Sequence, residues 1–138
     1  MYLDSKLKMS AAQAVTASAG STDVLDLDVA REQGLHELKL LIGVDEAATA
    51  AGAATVTFHI QHDSDPAFGT AKTVIKTDAI AKAELIIGKQ IILPIPAGLN
   101  KRYMRVYYEV ATGPLTAGKF SATVIEGEQL WSATKAQQ

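Results

Sequence analysis

The stretch TVTFHIQ, Thr55 to Gln61, decides the class of the fold. Val56, Phe58 and Ile60 fall at every second position, with Thr55, Thr57, His59 and Gln61 between them. Successive side chains of a strand point to opposite faces, so this order puts the apolar groups on one side and the polar groups on the other. LKLLIGV repeats the rhythm, with Leu38, Leu40, Ile42 and Val44 sharing a face. Strands with one polar face belong to antiparallel sheets packed on a core from one side.

Further strands are expected at Val24 to Val29, Lys72 to Thr77, Gln90 to Ile95, Tyr103 to Ala111 and Lys119 to Glu126. DSDPAFG (Asp63 to Gly69) and PAGLN (Pro96 to Asn100) separate them with residues that favour turn angles. Two segments invite a helical reading: Ser10 to Ala19, and Asp78 to Gly88 with Asp78 placed as an N-cap. Short strands with frequent turns and no helix-strand alternation predict an all-β protein, an antiparallel β-sandwich or jelly roll. Residues 1–20 read as an N-terminal arm, 21–126 as the sandwich and 127–138 as a tail.

Composition narrows the function. The chain of 138 residues suits one domain. Thirteen Lys and Arg against 15 Asp and Glu give a formal charge of −2, and no cluster of five like charges occurs, which argues against a surface for phosphate backbones. The absence of cysteine removes disulfides, thiolate metal sites and cysteine nucleophiles. No apolar run reaches the length of a membrane-spanning helix, and Gln13, Thr16 and Ser18 interrupt the start of the chain where a secretory signal would need a continuous apolar core. No partner is expected among nucleic acids or membranes.

Several motifs approach chemistry without reaching it. Gly113, four residues, Gly118 and Lys119 open the phosphate-loop pattern, but Phe120 stands where a magnesium-holding hydroxyl belongs and FSATVIEG continues as a strand instead of a helix. The expected reading is a loop joining two antiparallel strands. His59 and His62 lie on opposite faces of a strand and do not jointly hold a metal, and His36 reads as a solvated surface group. Asp63 and Asp65 have the oxygens a calcium ion takes, but a turn before Pro66 explains them more simply. Glu84, Glu109, Glu126 and Glu128 show no spacing that asks for paired-carboxylate chemistry, and no G-x-S-x-G occurs. No catalytic residue, cofactor or metal site is predicted.

What remains is surface. In Tyr103 to Val110, Met104, Val106, Tyr108 and Val110 share one face, leaving Tyr103, Arg105, Tyr107 and Glu109 on the other. Two tyrosines around an arginine suit a protein interface, although tyrosine also simply suits strands. Tyr2 and Leu3 in the arm are the second candidate contact, ordering against a neighbouring subunit.

MYLD, AAQAVTASAGSTDVLDL, AGAATVTFHIQHDSDPAFG, ILPIPAGLNKRYMRVYYEV and ATGPLTAGKFSA together resemble the small cement, or decoration, proteins of tailed-bacteriophage heads, from the first residues to about Val124. That resemblance implies a jelly roll without enzymatic activity on the outer face of the virion. It would clamp neighbouring major capsid protein subunits as a small homo-oligomer, with a dimer favoured. The alternative from another class is a jelly-roll carbohydrate- or receptor-binding module, which would need an aromatic-lined groove.

Overall fold

The structure, a computed structural model, describes residues 8–26, 38–95 and 101–126. Among them are ten strands: β1 (Lys8–Ala14), β2 (Ala19–Gly20), β3 (Leu25–Asp26), β4 (Leu38–Thr49), β5 (Thr55–Asp63), β6 (Lys72–Lys76), β7 (Ile80–Ala81), β8 (Gln90–Pro94), β9 (Tyr103–Ala111) and β10 (Ala117–Glu126). One 3₁₀ turn, Lys82–Glu84, is the sole helical element there.

The strands form two antiparallel sheets. The first has the order β1-β10-β4-β8; in the second, β9 and β5 are central, β2 and β3 flank β9, and β6 and β7 flank β5. Taking β2 with β3 and β6 with β7 as single positions gives two four-position sheets. The pairs β1 with β10, β2/β3 with β9, β4 with β8 and β5 with β6/β7 nest inside one another. One long ribbon, folded back on itself at the β5–β6 turn and rolled up, produces this order, which is that of a jelly roll.

The expected alternation sets the interior. Leu40, Ile42 and Val44 from β4 and Phe120, Ala122 and Val124 from β10 meet Val56, Phe58, Ile60, Met104, Val106 and Tyr108 across the sandwich, all buried. Phe58 packs edge-on to Tyr108 and Phe120 at centroid distances of 5.7 and 5.4 Å, and Tyr108 stacks on Phe120 at 5.6 Å. Such geometry suits the ring quadrupoles and adds about 0.5–1.5 kcal/mol per pair beyond area burial.

The arm boundary changes. From residue 8 onward the segment assigned to an arm is part of the body: β1 pairs with β10, β2 pairs with β9, and Met9 and Val15 are fully buried. Tyr108 Oη donates to Ser10 Oγ (2.8 Å), which donates to Gln13 Oε1 (2.7 Å), while Gln13 Nε2 donates to the Gly20 carbonyl (2.9 Å). Burial raises the Tyr108 pKa to about 12, so this phenol stays a donor. The helical readings also fail. Ser10 to Ala19 holds most of β1 and a bend, and Asp78 to Gly88 holds β7 and the 3₁₀ turn, because burying Met9, Val15 and Leu85 in the core outweighs the helix propensity of alanine-rich sequence. Of the strand expected at Val24 to Val29, Leu25–Asp26 is paired and residues 27–29 lie outside the described residues. So do PAGLN, Tyr2 and Leu3, His36 and the tail 127–138.

Candidate partner-binding face

β9 and β5 lie side by side, with Tyr103 opposite Asp63, Arg105 opposite Gln61, Tyr107 opposite His59 and Glu109 opposite Thr57. All eight are on the side of the sheet away from the core, as the period of two dictates. The expected Tyr103, Arg105 and Tyr107 row is therefore a single face, and each of the three is partly exposed.

Arg105 is the most constrained of them. Its Nε donates to Gln61 Oε1 at 2.9 Å, its guanidinium carbon lies 4.4 Å from the Phe68 ring centroid and 5.4 Å from that of Tyr107, and it presses on Gly20 of the neighbouring strand. A Cβ at residue 20 would stand 2.6 Å from Arg105 Nη1 and 2.9 Å from Cζ, so a glycine there leaves room for the side chain to lie flat. Burial draws the Arg105 pKa down, against favourable contributions from Tyr107 and then Asp63, but a guanidinium keeps its charge at neutral pH.

Phe68 was missed by sequence reasoning. DSDPAFG reads as a turn, and it is one, but the turn is also a mount. Asp63 Oδ2 accepts from the Thr70 N–H (2.8 Å) and Oδ1 from the Asp65 N–H (3.2 Å), while Asp65 Oδ1 accepts from the Ala67 N–H (3.0 Å). These bonds bring Phe68 back under Arg105 with φ of 55°, a left-handed backbone that a bulky residue adopts only when its surroundings impose it. The ring is 6% exposed. Burial alone would push the Asp63 carboxyl up, but the donors of Thr70, Asp65 and Ser64 hold it below the usual range. The aspartate oxygens are thus engaged by their own loop, and no cluster of three His, Cys, Asp or Glu suited to a metal occurs among the described residues.

The two histidines separate as the alternation predicts. On the outer face, His59 Nε2 is 2.7 Å from Glu109 Oε1 and Nδ1 is 3.0 Å from Thr73 Oγ1, with the Tyr107 ring edge-on at 5.9 Å. Those neighbours leave His59 only 8% exposed although it points away from the core. His62 points inward, and its Nδ1 is buried without a hydrogen-bond partner in the structure. Burial, then Lys101 and Lys72, lower its pKa, with Asp63 opposing.

Of the other sequence candidates, Glu84 is on the 3₁₀ turn and Glu109 on the outer face of β9. The side chain of Glu126, and Glu128, lie outside what is described. Gly113 to Lys119 is the expected loop between two strands of antiparallel sheets; it leaves β9 in one sheet and enters β10 in the other, so it crosses between the layers. Lys119 is exposed and Phe120 is core. A second exposed feature is apolar: Ile86, Ile87 and Ile92, the second of them 70% exposed, lie before and within the edge strand β8 of the other sheet.

The family model Bbp16 matches residues 9–124. No curated protein matches the chain.

Proposed function

The chain belongs to the Bbp16 family, and we propose that it is a non-enzymatic structural protein of a tailed-phage particle, bound to the outer surface of the head and clamping neighbouring major capsid protein subunits. The observation that carries this reading is the row Tyr103, Arg105 and Tyr107 on the outer face of a jelly-roll sheet, with Arg105 packed on the Phe68 and Tyr107 rings. Preorganised Tyr and Arg lose little side-chain freedom on binding, which is what an anchor residue requires. The resemblance of several sequence segments to phage cement proteins supports the same role.

A clamp needs at least two points of contact. Ile86, Ile87 and Ile92 sit at the edge of the other sheet, so the polar-aromatic face and the apolar edge suit different neighbours. Modest contacts made at once reinforce one another through effective concentrations in the millimolar range. A small homo-oligomer, dimer favoured, would multiply the effect, and its mass in solution compared with the copy number per shell checks that state.

Expanded shells lacking the protein should take it up in fixed stoichiometry. Indifference to shells of every maturation state would sink the proposal. Hits on a glycan array, with Tyr103 and Tyr107 required, would instead favour the carbohydrate-binding module.

A further inference from the structure

Arg105 holds more donors than its own fold uses. A guanidinium presents five N–H groups in a planar fork. Here Nε is taken by Gln61, while Nη1 and Nη2 have no hydrogen bond or ion pair with a described residue. Asp63 is near enough to favour the charge, but its oxygens are held by Thr70 and Asp65. The fork itself is fixed by the Phe68 and Tyr107 rings and by Gly20.

We propose that the Nη edge of Arg105 is the anchor for a carboxylate side chain of the partner protein, received while Tyr107 and Tyr103 cover its flanks. The proposal rests on the outer face of β9 being the contact surface. A planar fork matches both carboxylate and phosphate. The setting favours the first. Glu109, with its side chain 47% exposed, stands two residue pairs along the same face, and the chain carries a net charge of −2, so a continuous phosphate backbone would meet repulsion where a single acidic side chain would not. Partly exposed tyrosines around a charged centre also give the amphipathic contact area of a protein interface.

The test compares uptake by expanded shells of the unsubstituted protein, Arg105→Lys, Arg105→Ala and Gly20→Ala, on native shells and on shells whose surface carboxylates are amidated with carbodiimide and ethanolamine. Arg105→Lys keeps the charge and loses the fork. It should bind about ten- to a hundredfold more weakly, the range of a charge-assisted hydrogen-bonded pair. Gly20→Ala, whose added carbon meets the Arg105 side chain from Cδ to Nη1 and no backbone atom among its nearest contacts, should melt close to the parent and still bind more weakly. Amidation should weaken the parent strongly and Arg105→Lys hardly further, since both remove the same contact. Arg105→Lys binding within twofold of the parent overturns the carboxylate anchor while leaving shell binding intact. Retention of a single-stranded DNA oligonucleotide by the parent and not by Arg105→Ala also overturns it, in favour of phosphate. No uptake of the parent by any shell overturns this inference and the proposed function together.

Discussion

Single groups in this molecule hold distant parts of the chain, so their removal is felt beyond their size. Ser10 is fully buried; its Oγ accepts from the Tyr108 hydroxyl and donates to Gln13 Oε1. Ser10→Ala leaves a buried phenol without an acceptor and should cost about 1–3 kcal/mol, whereas Tyr108→Phe removes the phenol's own donor and leaves Ser10 bonded to Gln13, and should cost about 1 kcal/mol. Urea unfolding with unchanged slope measures both, and equal losses would contradict the argument. Asp63 and His62 give a pH signature. The Asp63 pKa is lowered by folding, so its contribution is complete above the unfolded value of 3.8 and is lost as pH falls through the folded one. Asp63→Asn should therefore be less stable than the parent at pH 7, with the gap closing under acid. The His62 pKa is also lowered, from 6.5, so the unfolded chain takes the proton first and stability declines as pH drops from 6.5 through the folded value. His62→Gln should flatten that upper step and leave the lower one; melting midpoints from pH 8 to pH 3 decide it.

At the level of elements, legibility followed regularity. β9 is predicted to its ends and β5 shows its alternation openly, because each runs without interruption beside a partner in uniform register. β1 is hidden because it is irregular. Its register against β10 shifts twice, Ala12 has φ of 49°, and the consecutive residues Met9 and Ser10 are both buried, which breaks the period of two. An alanine-rich run without alternation then reads as an arm or a helix. The candidate face was half legible for a related reason: alternation within one strand puts Tyr103, Arg105 and Tyr107 together, but Phe68 joins them from a turn whose hydrogen bonds are local while its stacking on Arg105 spans 37 residues of chain, which no periodicity announces. Gly118 repeats the lesson. In the sequence it resembles part of a phosphate loop, and in the fold it is a bulge of β10 with φ of 154°, where a Cβ would lie 3.4 Å from Ala48 Cα. Gly118→Ala should cost about 1–3 kcal/mol through backbone strain, read as a fall in the urea midpoint, with no change in affinity for ATP expected because no phosphate cradle is lost.

The whole molecule is a ribbon closed from its middle outward, and that order has kinetic consequences. β5 and β6 are joined by a short turn, but β1 must find β10, with Lys8 opposite Thr123. The entropy of closing a loop grows with its length, so the inner pairs are cheapest to form and the outer pair the most expensive. A fold dominated by such non-local pairing should refold in the range of milliseconds to seconds. The transition state should then hold β5, β6 and β9 in place while β1 is still loose. Ile60 lies at the centre of β5 and is fully buried, as Met9 is in β1. Either residue changed to alanine should lose about 2–5 kcal/mol at equilibrium. The losses should divide differently: Ile60→Ala mainly slows folding, with φ near 0.5 or above, and Met9→Ala mainly speeds unfolding, with φ near 0. Stopped-flow chevrons for the two variants test this. A high φ for Met9 would mean that β1 docks before the barrier, and the inside-out order of closure would be wrong.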